Sequence, residues 1–166
     1  MNNTMNAQAL ESSGFYGFTG FQDLRDGALN RVPRTDGAYV VLRRSPAPPA
    51  FLTESCGGHF KGKNPTVSIA VLEAKWVEGA QVVYVGKANN LQRRLREYAA
   101  YGAGKLVGHQ GGRYIWQLAD SGELIVAWKQ CSEGQAARSL EAELVTAFKT
   151  EHQRLPFANI ADPSHS

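Results

Sequence analysis

The 166-residue chain is 43% hydrophobic and carries a formal net charge of +3. This length and apolar content suit one domain with a single core. The weak positive charge would help a polyanion to bind, but it does not by itself indicate that the partner is a polyanion. No apolar run reaches the roughly 18 residues of a membrane helix, and the N-terminus lacks the basic start and apolar centre of a signal peptide. We therefore expect a soluble, cytoplasmic protein with no membrane partner.

Residues 1–36 are predicted to be a partly ordered N-terminal segment. Within it, the stretch 19–26 has the pattern of a short capped helix with Phe21 and Leu24 turned inward. Regular structure is expected to begin after the Asp-Gly turn that ends the segment. There GAYVVLRR (37–44) alternates and is rich in β-branched and aromatic residues, which predicts a first strand.

An insertion at 44–80 follows the first strand. Its part 45–66 is rich in Pro and Gly, which favours a surface loop, and the apolar stretch after it is ambiguous between helix and strand. QVVYVG (81–86) predicts a second strand, and NNLQRRLREYAAYG (89–102) a helix with an Asn cap at its start and a Gly at its end.

Two strand-like runs, GRYIWQLA (112–119) and ELIVAWKQ (123–130), are joined by a turn at 120–122, which predicts an antiparallel hairpin. A final helix is predicted over 132–151. The chain is thus expected to be an α+β protein in which helices flank a small antiparallel sheet, in the order β-(insertion)-β-α-β-β-α. Cys56 and Cys131 lack CxxC partners and are expected to be reduced thiols.

Arg94 lies at the border of the apolar stripe on the first long predicted helix, three residues after Leu91 and four before Tyr98. It could be a snorkelling side chain that pairs with a local carboxylate. A guanidinium at the margin of the core can also bind a phosphate with two parallel hydrogen bonds.

Glu141 lies on the apolar face of the last predicted helix, with Leu144, Val145 and Phe148. A buried carboxylate must be paired, protonated or bound to a cation, because a bare buried charge costs several kcal/mol. One interpretation is an ion pair with an arginine such as Arg138 or Arg94, and the other is that Glu141 is a metal ligand.

Tyr39 and Tyr84 occupy the middle of the first two predicted strands, and on a shared face their hydroxyl groups would converge. The alternative is that both tyrosines only pack in the core, because tyrosines in strands are usually packing residues. Gly86 lets the backbone come close to whatever lies at the strand end, and Lys87 adds a positive charge there.

Five elements follow one another along the chain: Gly37-Ala38-Tyr39, Tyr84-Val85-Gly86, Arg94, Glu141 and the Asn159 of PFAN. Their order resembles that of the GIY-YIG nuclease family over residues 37–160. The run YVGKANNLQRRLREY is most similar to the bacterial excision-repair branch of that family. The long insertion between the two tyrosine triplets and the longer spacing from Glu141 to Asn159 depart from the usual pattern, although some restriction-enzyme members also carry an insertion. Residues 161–166 would be a C-terminal tail.

The resemblance implies a metal-dependent endonuclease with one divalent cation, Mg²⁺ or in its place Mn²⁺, held by Glu141. Arg94 would neutralise charge on the reacting phosphate. Tyr84, assisted by Tyr39 and Lys87, would orient or deprotonate the attacking water, and Asn159 would support the site. Gly86 completes the catalytic set that the resemblance implies.

The predicted partner is nucleic acid, with DNA favoured. Basic residues and one histidine between the second strand and the hairpin form a candidate substrate surface. The alternative is that they form an ordinary solvated face. They are Lys87, Arg93, Arg94, Arg96, Lys105, His109 and Arg113. Three interpretations remain open: a structure-directed repair or recombination nuclease, a sequence-specific nuclease, and an inactive GIY-YIG-like module that binds nucleic acid or another partner. A monomer is expected.

Overall fold

Four strands form one antiparallel sheet in the computed structural model, which describes residues 5–58, 64–105 and 112–163. The strands are β1 (Tyr16–Gly20), β2 (Gly37–Leu42), β3 (Val82–Ala88) and β4 (Ile125–Gln130), and their order across the sheet is β1-β4-β2-β3. β2 is therefore central, and all six of its side chains are buried. The predicted α+β class with an antiparallel sheet is confirmed.

The sheet separates two apolar layers because alternate side chains of a strand point to opposite faces. Tyr39 and Val41 of β2 face one layer, while Val40 and Leu42 face the other. Full burial of each such side chain contributes about 1.5–3 kcal/mol. The helices of the described residues are α1 (Ala7–Ser12), α2 (Phe21–Arg25), α3 (Ile69–Lys75), α4 (Leu91–Gly102) and α5 (Ala137–His152).

Local signals in the sequence correctly predicted α4. The Asn90 side chain accepts a hydrogen bond from the backbone N–H of Arg93 at 3.0 Å and so caps the helix. The helix ends at Gly102, where a Cβ atom would lie 2.4 Å from the Trp116 ring. The predicted inward helix with Phe21 and Leu24 is also confirmed as α2.

The N-terminal segment contains a strand, so the expectation that regular structure begins only after residue 36 is wrong. β1 pairs with β4 at the edge of the sheet. Its sequence, YGFTG, carries two glycines and no apolar alternation. At Gly17, a Cβ atom would lie 2.3 Å from the Trp128 ring, so the strand is selected by its fit to β4 rather than by strand propensity.

The predicted hairpin is also wrong, because residues 113–117 form a 3₁₀ helix. Tyr114, Ile115 and Trp116 are all buried in succession, which a half-buried strand does not allow. The Gln117 side chain instead binds the insertion: it donates to the carbonyls of Leu52 and Val67 and accepts from the Val67 N–H. These tertiary contacts override the local preference.

The insertion is partly helical, since its ambiguous apolar stretch forms α3. The last long helix, α5, begins at Ala137 and not at residue 132. Residues 132–135 form a turn in which the Gln135 side chain accepts from the Ser132 N–H at 3.0 Å. No helix in the described part of the chain is long and apolar enough to cross a membrane.

Candidate active site

The two tyrosine triplets meet on adjacent strands, because Tyr39 of β2 lies opposite Gly86 of β3. A Cβ atom at Gly86 would lie 2.4 Å from Cζ of Tyr39, so only glycine leaves room for the ring there. The Tyr39 and Tyr84 ring centroids are 5.9 Å apart, and each lies within 6.0 Å of the Tyr98 centroid from α4. The two rings share a face of the sheet, as predicted, but Tyr39 is fully buried and its hydroxyl group has no hydrogen-bond partner among the described residues.

Arg94 joins this group of phenols from α4. Its side chain is only 5% exposed, and its Cζ atom lies 5.0 Å from the Tyr98 ring and 5.8 Å from the Tyr39 ring. Burial lowers the pKa of Arg94, but the neighbouring phenols raise it further, so the net direction is upward. The guanidinium therefore carries a fixed positive charge against the aromatic rings.

The phenols are held in their neutral form. Burial raises the pKa of Tyr39 and raises that of Tyr84 well above its usual value, although the charge of Arg94 opposes both shifts. A neutral phenol donates and accepts hydrogen bonds but is a poor base at neutral pH. Of the two roles predicted for Tyr84, this favours orienting a water molecule over deprotonating it.

Glu141 of α5 lies in a cleft of about 590 Å³ beside β3, which we call the Glu141 cleft. Residues of β3, of α5, of the 3₁₀ helix with the glycine before it, and of the C-terminal segment also line it. They are Tyr84, Lys87, Gly112, Arg113, Arg138, Ala158, Asn159, Ile160, Ala161, Asp162 and Pro163. The cleft thus brings the predicted Tyr84, Lys87, Glu141 and Asn159 together.

The Glu141 side chain is 9% exposed. Among the described residues it forms no hydrogen bond and no ion pair, so the predicted pairing with Arg138 or Arg94 is not made there. Burial raises the pKa of Glu141, while the charges of Lys87 and Arg138 lower it less. A recessed carboxylate without a partner is a group prepared to bind a cation or a proton.

Asn159 fastens the C-terminal residues to β3. Its side-chain oxygen accepts from the Val85 N–H, and its side-chain nitrogen donates to the Val85 carbonyl, both at 2.9 Å. Lys75 of α3 donates to the Asn159 carbonyl, also at 2.9 Å. Because its side-chain amide is occupied by the backbone of β3, Asn159 supports the cleft and does not enter it.

The insertion packs behind the same C-terminal residues. Phe51 and Trp76 lie 5.8 and 5.2 Å from the Phe157 ring, measured between ring centroids. The Arg154 guanidinium donates to the carbonyls of Trp76 and Ala74. The described part of the insertion therefore supports the C-terminal residues from behind and contributes no residue to the lining of the cleft.

The remaining predicted substrate residues divide into two groups. Arg113 lines the Glu141 cleft. Arg93 and Arg94 line a neighbouring depression of about 260 Å³, and Lys87 lines both the depression and the cleft. Arg96 donates to the side chain of the buried Gln92, one turn earlier on α4. Neither Arg96 nor Lys105 is part of either lining. His109 lies outside the described residues.

Sequence reasoning missed Asp162, a second carboxylate at the Glu141 cleft. Its oxygen lies 2.6 Å from Nζ of Lys149, two turns beyond Glu141 on α5. The motif ADPSHS carried no periodic signal that could have placed it. Sequence reasoning also missed the exposed Ile160, which lies beside Asn159 in the lining.

The donor set suits a metal that keeps most of its water. No group of three or more His, Cys, Asp and Glu side chains that could hold a metal ion occurs in residues 5–58, 64–105 and 112–163. A zinc-type cage is therefore not formed by these residues. The single recessed carboxylate of Glu141 fits Mg²⁺, which commonly takes one or two carboxylates and fills its other positions with water and substrate phosphate.

Comparison of the chain with protein-family models, curated proteins and solved structures gave no match.

Proposed function

We propose that the protein is a metal-dependent endonuclease that hydrolyses phosphodiester bonds of DNA in the Glu141 cleft, with a site of the GIY-YIG type. The observation that carries the proposal is the recessed Glu141 carboxylate, which forms no hydrogen bond or ion pair with any residue that the structure describes. Its cleft also presents the Tyr84 phenol and the cations Lys87 and Arg113. A cation-binding carboxylate and phosphate-binding cations in one cleft are the requirements of phosphodiester hydrolysis.

Glu141 would hold one Mg²⁺ or Mn²⁺ ion. When bound, such an ion supplies Lewis acidity toward a phosphoryl oxygen and stabilises charge on the leaving oxygen. Lys87 and Arg113 would attract and orient the phosphate from the other sides of the cleft. Their charges also offset the repulsion between the Glu141 carboxylate and an approaching phosphodiester.

Tyr84 would orient the attacking water by a hydrogen bond. Its raised pKa keeps the phenol protonated, so it can donate to or accept from the water without acting as the main base. Arg94 is fixed against Tyr39 and Tyr98 and lines the depression that shares Lys87 with the cleft. From there its charge would favour a phosphate that gains negative charge in the transition state.

The test is cleavage of supercoiled plasmid by the purified protein, with and without Mg²⁺ or Mn²⁺. We expect metal-dependent nicking that is lost in Glu141→Gln and reduced at least about 100-fold in Tyr84→Phe, the scale of losing one positioned catalytic group. The matched control is Glu143→Gln, which changes an exposed carboxylate on the same helix.

Near-normal nicking by Glu141→Gln would refute the assignment. Salt-dependent DNA binding by the wild type without strand breaks in either metal would instead identify a non-catalytic binding module. The same reaction with RNA in place of plasmid measures the preference for DNA.

A further inference from the structure

The C-terminal residues 158–163, which we call the C-terminal wall, give the Glu141 cleft an apolar side. Ala158, Ile160, Ala161 and Pro163 all contribute to its lining. Ile160 is 48% exposed, and it is one of three large hydrophobic side chains that are exposed in the described part of the chain. An exposed aliphatic side chain at the mouth of a charged cleft is a contact surface for an apolar or aromatic part of a ligand.

The C-terminal wall is fixed in position at several points. Asn159 is bound to both backbone groups of Val85, and its own carbonyl accepts from Lys75. Asp162 is bound to Lys149 on α5. Ile160 is therefore presented at a defined place between two anchored residues, so a ligand that contacts it loses little to the ordering of the wall.

The rest of the cleft is suited to a phosphate. Lys87, Arg113 and Arg138 supply three positive charges, and the candidate metal ligand Glu141 is only 9% exposed. A phosphodiester can approach this recessed carboxylate only if its backbone enters the cleft. The attached sugar and base then lie against the neighbouring lining, of which the apolar part is the C-terminal wall.

A base in a stacked, paired duplex cannot follow its phosphate into such a cleft. Enzymes that bind a base in a recessed pocket either take single-stranded nucleic acid or extrude one nucleotide from the stack, which costs a few kcal/mol and is least costly where the base is already unpaired. The same cost applies to a base that contacts the C-terminal wall. A cleft of about 590 Å³ lies within the range of about 300–1,000 Å³ that accommodates one small organic ligand.

We propose that the Glu141 cleft accepts one unpaired nucleotide of DNA, with its phosphate among the cations and its base against Ile160 on the C-terminal wall. This inference rests on the proposed nuclease function and narrows its substrate to DNA with single-stranded or unpaired positions. Ile160 is then a specificity-determining residue for unpaired DNA.

Three oligonucleotides of one sequence test the proposal: a single strand, a full duplex, and a duplex with a short unpaired loop. In Mg²⁺ we expect cleavage of the single strand and at the loop to be at least about tenfold faster than cleavage of the duplex, because the duplex must first be unstacked. In the Glu141→Gln background, which leaves the DNA intact, a 2-aminopurine base in the loop should change its fluorescence when the protein binds.

Ile160→Ser should weaken binding of the single strand by about fivefold or more, the scale of losing contact with one partly exposed aliphatic side chain. Ile160→Val should retain most of the affinity. The matched control is Tyr16→Ser, which removes an exposed hydrophobic side chain from β1, at the opposite edge of the sheet from β3. Circular dichroism of each variant verifies that it is folded.

Equal cleavage of duplex and single strand, or equal affinity of Ile160→Ser and the wild type, would overturn the inference while leaving the nuclease function intact. Failure to cut any of the three oligonucleotides in Mg²⁺ or Mn²⁺ would overturn the proposed function itself.

Discussion

Replacing Glu141 with glutamine should stabilise the protein at neutral pH, although it abolishes the proposed activity. The wild-type carboxylate is 9% exposed and has no hydrogen bond or ion pair among the described residues. Glutamine has nearly the same shape and carries no charge. The substitution therefore removes a partly desolvated charge, which Lys87 and Arg138 offset only in part, and it leaves the packing of α5 unchanged.

The magnitude follows from the surroundings of the carboxylate. The Glu141 oxygens are not among the buried polar atoms that lack a hydrogen bond, so they keep contact with solvent. The cost of partly desolvating this charge is therefore well below the several kcal/mol of a fully buried ion. Lys87 and Arg138 offset part of that cost because both lower the pKa of Glu141. We expect a gain of about 1 kcal/mol in the free energy of unfolding, which corresponds to a rise in Tm of roughly 2–4 °C for a domain of this size.

The gain should depend on pH. Because burial raises the pKa of Glu141 above its unfolded value, the contribution of this residue to stability is fully present below the unfolded pKa, about 4.3. It is lost as the pH rises through the folded pKa. The glutamine variant does not titrate at this position, so its Tm advantage over the wild type should be absent at pH 4 and established at pH 7.

Thermal unfolding followed by circular dichroism at pH 4 and pH 7 measures this difference. Glu143→Gln, an exposed change on the same helix, should stay within about 0.5 kcal/mol of the wild type at both pH values. Added Mg²⁺ should raise the Tm of the wild type at pH 7 and leave Glu141→Gln unchanged, because a ligand stabilises only the state that binds it. A glutamine variant that is less stable than the wild type at pH 7 would refute the reasoning.

Three further substitutions test the supports of the site. Gly86→Ala should destabilise the protein by about 1–3 kcal/mol, because the new Cβ would lie 2.4 Å from Tyr39 Cζ. Urea unfolding measures this loss. The control is Gly122→Ala, because nothing lies within 4 Å of a Cβ at that position. Asn159→Ala should cost about 2–3 kcal/mol in urea unfolding, because it leaves two backbone groups of β3 without their partner. Lys75→Met should cost about 1 kcal/mol and slow DNA cleavage without changing DNA affinity, because it releases the Asn159 carbonyl but leaves the cations of the cleft in place.

The outcomes that would contradict these expectations differ. A Gly86→Ala protein as stable as Gly122→Ala would mean that Tyr39 can move aside freely. For Asn159→Ala, the matched control is Asn30→Ala, which changes an exposed residue of the 3₁₀ helix Ala28–Arg31. Equal stability of the two variants would show that the C-terminal wall is not fastened through Val85. If Lys75→Met changed DNA affinity and not the rate, Lys75 would act on the substrate instead of on the wall.

The long elements of the fold were predictable because their signals are local. Strands β2 and β3 are rich in β-branched and aromatic residues, and α4 carries its own cap at Asn90. The anomaly of a carboxylate on an apolar helix face also followed from spacing alone, and it correctly placed Glu141 among buried side chains. These features depend on neighbours within one or two turns of the chain.

The remaining features depend on residues far apart in sequence, and local patterns could not supply them. β1 exists because Gly17 admits the Trp128 ring, and residues 113–117 form a 3₁₀ helix because Gln117 bonds the insertion. The sequence by itself determined which residue types are available for chemistry: two phenols, a guanidinium and a carboxylate. Only the tertiary structure decided that Asn159 faces the β3 backbone, that the insertion supports the cleft, and that Ile160 lies at its mouth, because each of these results from contacts between segments that meet only in the folded chain.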